Sequence, residues 1–300
     1  MQKAEFFCTL LFFEAVSMNI GLVLSGGMAK GAYQIGALKA LREYIPLHEI
    51  KYVSCASIGV LNGYAYLTEN LDSAELLWKN LCNEDARVFV GKILRSTMLQ
   101  QGIKDVYDPS KKLPAAFYSA LLDFSNRHLV YKDLSAVDME QLPLYLKASV
   151  AMPVYNRPVQ IGEIAYFDGA MVDNIPVYPL LKKNVDLVIC VYFDDISYRF
   201  ENTYFDNKIV KINFPGESIL KQSVVFEKSG IEKMIADGYE RTVEILQTVF
   251  AEGYENLDYV YNAIDAMNQG KKNSKMRITG DLLVTNLNKI TQKLTKRKIL

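Results

Sequence analysis

Histidine is nearly missing from this chain: His48 and His128 are the only two in 300 residues. A zinc or other imidazole-ligated metal centre is therefore not expected, and neither is any cofactor that needs such ligands. His48 lies in the polar connection Pro46-Leu47-His48-Glu49 and His128 in Asn126-Arg127-His128-Leu129, neither a pattern that sets up a triad base. Cysteine is also sparse, and Cys8, Cys55, Cys82 and Cys190 show no C-x-x-C spacing, so they read as buried thiols. Lone thiols favour a cytoplasmic protein over a secreted one. No run of eighteen apolar residues occurs, which excludes a membrane-spanning helix as the organising element.

The net charge is zero, but the neutrality conceals a split. From Lys271 onward nine basic residues face one acid, Asp281, a balance of +8; with 34 charges of each sign overall, the first 270 residues carry −8. Within this tail Leu283, Leu287, Ile290 and Leu294 fall on one helical stripe beside Lys289, Lys293 and Lys296. Such a segment, 282–298, suits either peripheral contact with anionic lipid or docking on the body. Nucleic acid is not an expected partner, since the basic cluster is confined to the tail and no recognition module accompanies it. At the other end Phe6 to Phe13 resembles the apolar part of a signal peptide, but Glu5 and Glu14 bracket it and Met18 directly precedes the first core run. Residues 1–17 are expected to be an extension, 18–270 the functional domain and 271–300 a basic tail.

With half of its residues apolar, a chain of this length can bury one large α/β core. The strand-like run Ile20 to Leu24 leads into Ser25-Gly26-Gly27-Met28-Ala29-Lys30-Gly31, after which Ala32, Ile35, Leu38 and Leu41 recur at helical spacing. Glycines at a strand-to-helix turn let backbone N–H groups point outward at an anion, either a phosphate or a transition-state oxyanion. The P-loop and dinucleotide spacings both fail here, because no lysine follows Gly31 and no glycine stands at Met28 or Ala29.

A second strand-like run, Ile50 to Val53, leads into Cys55-Ala56-Ser57-Ile58-Gly59 and a helical segment to Leu67. A serine at that turn exposes its hydroxyl above a helix N-terminus, the arrangement of a nucleophile elbow. Alone, the pentapeptide fits an ordinary helix cap equally well. A third element, Tyr166-Phe167-Asp168-Gly169-Ala170, is a strand ending in a turn, where α/β sheets gather their sites. With histidine so scarce, Asp168 is the more economical base for Ser57.

Together these pieces resemble the patatin-like phospholipase family. Gly26 to Gly31 matches its G-G-G-x-[R/K]-G loop, Cys55 to Gly59 its G-x-S-x-G elbow, and Asp168-Gly169-Ala170 its D-G-[G/A] turn, in the family order. Ala148 to Pro153 resembles its A-S-x-A-x-P stretch, and Asn174-Ile175-Pro176 its N-x-P. Two positions depart: Met28 stands where the family has its third glycine, and Cys55 where the elbow has its first.

The resemblance implies a three-layer α/β/α sandwich with a mainly parallel central sheet, and a lipid acyl hydrolase of phospholipase A or lysophospholipase type that needs no cofactor. Ser57 would be the nucleophile, Asp168 the base, and the N–H groups of Gly26, Gly27 and Met28 the oxyanion hole, with Lys30, Gly31, Gly59 and Gly169 in support. The same dyad would serve an acyltransferase, and a catalytically weak membrane- or partner-binding member is the alternative outside enzymes. An aspartate with an ordinary pKa of about 4 is a feeble base towards a hydroxyl, so the oxyanion loop is expected to carry most of the rate. Lys30 would hold the loop or meet a phosphate, unless it is a solvated lysine. Between elbow and aspartate, Ala74 to Leu81, Val88 to Met98 and Leu113 to Phe124 read as helical segments, either core or a cover; Ile231 to Ala266 reads as helical packing.

Overall fold

The apolar run Ile20–Leu24 forms strand β1, and all five of its residues are buried. The computed structural model describes residues 17–81, 88–89, 97–153, 155–194, 197–200, 202–214, 225–226, 228–270 and 274–277. After β1 come α1 (Gly31–Tyr44), β2 (Ile50–Ala56), α2 (Ile58–Leu67), α3 (Leu71–Asn80), β3 (Val88–Phe89), α4 (Thr97–Val106), β4 (Ala116–Asp123), β5 (His128–Asp133), α5 (Leu142–Ser149), β6 (Val159–Ile161) and β7 (Ile164–Asp168). The second half runs α6 (Tyr178–Leu181), β8 (Leu187–Tyr192), β9 (Ser197–Phe200), α7 (Thr203–Asp206), β10 (Ile209–Asn213), β11 (Val225–Phe226), α8 (Lys228–Val249), α9 (Leu257–Gln269) and β12 (Ser274–Arg277).

Among the described residues the main sheet has eight strands in the order β10-β8-β1-β2-β4-β7-β6, with β5 on β4. The five from β10 to β4 are parallel; β5, β6 and β7 join antiparallel. β1 and β8 are covered on both faces, which is why they read as continuous apolar runs without alternation. Their side chains still alternate. Ile20, Leu22 and Leu24 with Leu187, Ile189 and Val191 face the larger core, whereas Val23 with Val188, Cys190 and Tyr192 face a smaller one.

The layers are therefore unequal. The larger core lies under residues of α1, α2, α3, α5, α8 and α9; the smaller is closed by Ile175, Val177, Leu180 and Phe205 around the short helices α6 and α7. Helix α1 buries Ala32, Ile35, Leu38 and Leu41 at the spacing expected, and it stops at Ile45, which the following Pro46 holds extended. It crosses α8 with backbones nearly touching: a Cβ on Gly36 would run into the Ile235 carbonyl, and one on Gly238 into the Tyr33 carbonyl.

Two expected helical readings are corrected, at Leu113 to Phe124 and at Val88–Phe89, which pairs with Val225–Phe226 as a short antiparallel ribbon. Leu113 to Phe124, expected to be helical, contains β4, a central strand with β2 on one edge and β5 on the other. A short apolar run has no decisive periodicity, and pairing with two neighbours settles it as a strand. In the same insert α3 matches the helical reading of Ala74 to Leu81, Val88–Phe89 is a short strand, and residues 90–96 lie outside the described residues. Ile231 to Ala266 is two helices, α8 and α9, parted by a turn in which Gly253 takes φ +90°. The stretch Phe6 to Phe13 and the segment 282–298 also lie outside the described residues.

Met18 is buried, and its N–H donates to Glu49 Oε2 at 2.6 Å. At the other end β12 pairs with β9, so the folded body continues past the boundary expected at residue 270. No helix among the described residues is long and apolar enough to cross a membrane.

The α1–α8 crossing gives a stability prediction. Gly238→Ala should lower the urea midpoint by the equivalent of about 2–3 kcal/mol, because only backbone stands in the way of the new methyl. Gly270→Ala, where an added Cβ has nothing closer than 3.6 Å, should stay within about 0.5 kcal/mol.

Candidate active site

Register brings the site together. Strand β2 pairs with Ala116–Ala120 of β4, and β7 pairs with Leu121–Asp123, while β5 holds the opposite edge of β4 along both stretches. β2 and β7 therefore share one edge of β4 and run towards each other. Ala56 is opposite Ala120 and Asp168 opposite Leu121, so the two C-terminal ends meet head on. Ser57 is the next residue on one side, and the Asp168 carboxylate lies on the other.

Ser57 sits at φ +54°, ψ −131°, between β2 and the start of α2. For a residue with a Cβ this conformation costs about 1–3 kcal/mol and persists only where its flanks are fixed. Here Ala56 is held in the sheet, and the Ser57 carbonyl accepts the Val60 N–H at 2.9 Å. Gly59 lets α2 lie against β1, since a Cβ there would stand 2.7 Å from the Leu24 carbonyl oxygen. The cysteine at the elbow's first position fits because Gly63 faces it, where a Cβ would come within 2.9 Å of Cys55 Sγ. Burial raises the Cys55 thiol well above its usual pKa, so it stays protonated.

Asp168 Oδ1 accepts the Ala170 N–H at 2.8 Å, and the Ser57 side chain faces the same carboxylate and favours its charged form. The strand end is fixed by the Asp168 N–H on the Ala151 carbonyl at 2.9 Å and the Gly169 N–H on the Ala120 carbonyl at 3.2 Å. Gly169 presses on β4: a Cβ would stand 2.7 Å from the Ala120 oxygen. Asp168 is only 2 % exposed. Burial raises its pKa to about 7, against the opposing pull of the nearby Ser57 hydroxyl and of the Ala170 N–H. The expectation of an ordinary, weakly basic aspartate is thereby corrected, because only the fold reveals the desolvation.

The glycine loop emerges from β1, the neighbour of β2. Ser25 N–H donates to the Val191 carbonyl at 3.0 Å and Gly26 N–H to the Asn174 carbonyl at 3.2 Å, while Asn174 Nδ2 donates to the Gly26 carbonyl at 3.1 Å. A Cβ on Gly26 would meet Asn174 Oδ1 at 2.5 Å and Ser57 Cβ at 2.9 Å, so the loop lies directly against the elbow. Of the three N–H groups expected to face an oxyanion, that of Gly26 is engaged by Asn174. Those of Gly27 and Met28 have no hydrogen-bond partner among the described residues. Met28 has φ +52°, the conformation that a glycine would adopt without strain. Lys30 is buried at 4 % exposure, which overturns the solvated reading.

A polar network missed by motif reading braces this loop. Gln34 Nε2 donates to the Ser25 carbonyl at 2.8 Å, Asn62 Nδ2 to the Gly31 carbonyl and to Gln34 Oε1, both at 2.9 Å, and Trp78 Nε1 to Asn62 Oδ1 at 3.0 Å. All three side chains are buried, with Gly31 packed against the Trp78 ring. Trp78 is thus a wall of the loop rather than part of a cover. The signal was Gln34 and Asn62, amides on helix faces that are otherwise apolar.

Neither histidine reaches the site. His48 precedes β2, at the opposite end of the strand from Ser57, and His128 Nε2 faces Asp123 at 3.9 Å. Among the described residues no group of three His, Cys, Asp or Glu could hold a metal ion. A cavity of about 380 Å³ lined by residues such as Leu99, Ile103, Lys147, Val150 and Ala151 includes neither Ser57 nor Asp168; Ala151 links it to the site through its bond to the Asp168 N–H.

Residues 22–181 match the patatin-like phospholipase family. The chain belongs to that family. The matched stretch contains all three motifs and runs from β1 through α6. Two mycobacterial sequences described as uncharacterized NTE family proteins, from Mycobacterium bovis and Mycobacterium tuberculosis, are each 25% identical over 183 residues, which cover 58% of this chain and 49% of theirs. The chain spans about half the length of these curated relatives. Among solved structures, VipD from Legionella pneumophila aligns over 93% of this chain and 75% of its own, at 12% identity and a TM-score of 0.45. ExoU, a type III effector known from Pseudomonas aeruginosa, aligns over 85% and 60%, at 13% identity and a TM-score of 0.37.

Within this patatin-like chain the elbow strain can be measured. Ser57→Gly should be more stable to urea than Ser57→Ala by about 1–3 kcal/mol, since both lose the hydroxyl and only glycine relieves the positive φ.

Proposed function

We propose that the protein is a lipid acyl hydrolase of phospholipase A or lysophospholipase type, with Ser57 as nucleophile and Asp168 as base. The observation that carries this reading is the strand register that brings the end of β2, and with it Ser57, against the buried Asp168 carboxylate, whose pKa burial raises to about 7. Ser57 Oγ attacks the ester carbonyl as its proton passes to Asp168, and that proton leaves with the departing alcohol. The oxyanion forms against the Gly27 and Met28 N–H groups, each such donor being worth about 3 kcal/mol. Water, activated by Asp168, then releases the fatty acid and regenerates the serine.

A base with a pKa near 7 suits catalysis at neutral pH far better than one near 4. Family membership supports a lipid ester as substrate. The free buried thiols Cys55 and Cys190 fit a cytoplasmic setting, and the basic 282–298 segment fits peripheral contact with an anionic membrane.

Wild type, Ser57→Ala and Asp168→Asn, assayed on a fluorogenic acyl ester with a fluorophosphonate probe for Ser57, test this reading. Ser57→Ala should neither turn over nor label, and Asp168→Asn should lose about 10²–10⁴-fold in kcat. Equal turnover by all three would remove the dyad, and acyl transfer to an added alcohol in place of water would make it a transferase.

The pH profile follows from the sign of the shift. Asp168 must be ionised to accept the proton, so kcat/KM should rise with pH through about 7 and then level. Stability should move the opposite way. A carboxyl raised from 3.8 to about 7 stabilises the fold fully below pH 3.8, and that contribution, roughly 4 kcal/mol, is lost as pH rises to 7. Asp168→Asn should therefore melt higher than wild type at pH 8 while remaining nearly inactive.

A further inference from the structure

The loop that carries Asp168 extends to Asn174, whose two hydrogen bonds hold Gly26. Seven residues thus bear the carboxylate that faces Ser57 at one end and the clamp of the glycine loop at the other. Between them stands Asp173, 1 % exposed, a charge that burial penalises unless it is paired. Two of its three partners come from distant parts of the chain. Tyr131 Oη donates to Oδ2 at 2.6 Å, Ile175 N–H to Oδ1 at 3.3 Å and Arg277 Nη2 to Oδ1 at 3.2 Å. Asp173 N–H also donates to the Gly169 carbonyl at 3.1 Å, closing the loop on itself.

Arg277 comes from β12, far beyond the family-matched stretch. Ser274–Arg277 pairs in parallel with Ser197–Phe200, and the guanidinium lies 5.2 Å from the centre of the Tyr198 ring. Its side chain is 20% exposed and that of Asp173 2%, so the pair is largely shielded from solvent and salt.

We propose that Arg277 is a positioning residue: from the C-terminal strand it pins Asp173, and through the 168–174 loop it holds Asp168 against Ser57 and seats the glycine loop. Its effect on rate rests on the dyad reading; its effect on the loop does not. Displacing a reacting group by a fraction of an ångström changes rate strongly while leaving substrate binding nearly intact.

The test uses Arg277→Met, Arg277→Lys and Tyr131→Phe in the full chain. The readouts are the rate of Ser57 labelling by a fluorophosphonate, kcat and KM on a soluble acyl ester, and hydrogen exchange of peptides spanning 26–31 and 168–174. Arg277→Met should slow labelling and kcat about ten- to a hundredfold with KM within about twofold, and speed exchange in both peptides. Arg277→Lys should recover much of the loss, its ammonium replacing the guanidinium as a point charge. Tyr131→Phe should show a smaller loss of the same kind. Wild-type labelling and exchange in Arg277→Met would overturn the proposal, as would a loss that Arg277→Lys leaves unrelieved. If Arg277→Met does not fold, unchanged exchange in both Arg277→Lys and Tyr131→Phe overturns it. A wild type inert to the probe, with the exchange effect still present, would remove the dyad and leave the pin standing.

Discussion

Everything about the site depends on one feature of the sheet: β4 outlasts its parallel neighbour β2, and the free length of its edge is taken up by β7 running the other way. Two strand ends thereby face each other across a single step of the β4 register, Ala120 to Leu121. A serine just past one end and an aspartate on the last residue of the other become partners without either loop having to reach. The neighbouring end, that of β1, delivers the glycine loop alongside, and Asn174 ties it to the aspartate's own loop. The arrangement is rigid because each component is the end of a buried strand rather than the tip of a mobile loop.

That rigidity carries a thermodynamic cost. Ser57 and Met28 both hold positive φ, and Asp168 is buried where its charge is disfavoured. Each lowers stability, and all three gather where the ends of β1, β2 and β7 adjoin. They persist because the surrounding sheet, the α1–α8 contact and the amide network of Gln34, Asn62 and Trp78 over-determine the backbone. The same desolvation that weakens the fold at neutral pH raises the carboxylate's basicity, to a pKa of about 7. In the proposed reaction, activity and stability are set against each other by this one buried side chain.

Much of this was legible in the residues. The strand-loop-helix units around Gly26 and Ser57, the strand end at Asp168, and their order along the chain marked the family and its α/β/α sheet. Met28 was recognisable as a problem position because a motif glycine is a statement about φ, and the structure has that φ. Other features left no local trace. Leu113 to Phe124 has the apolar content of either a helix or a strand, and only its neighbours in the sheet make it β4. Lys30 reads as an ordinary first-turn lysine until the packing that buries it is known. The engagement of the Gly26 N–H, which leaves Gly27 and Met28 as the available donors, follows from a contact with a residue 148 positions away.

The chain by itself determined which groups are available: a serine at a turn, an aspartate at a strand end, glycines between strand and helix, and almost no histidine. Those follow from residue identity and short-range backbone preference, which act over a few positions. Tertiary structure alone decided that the hydroxyl and the carboxylate meet, that the carboxylate titrates near neutrality, and that an arginine from the last described strand reaches their loop. Strand register and desolvation arise from atoms far apart in sequence, so no local pattern encodes them.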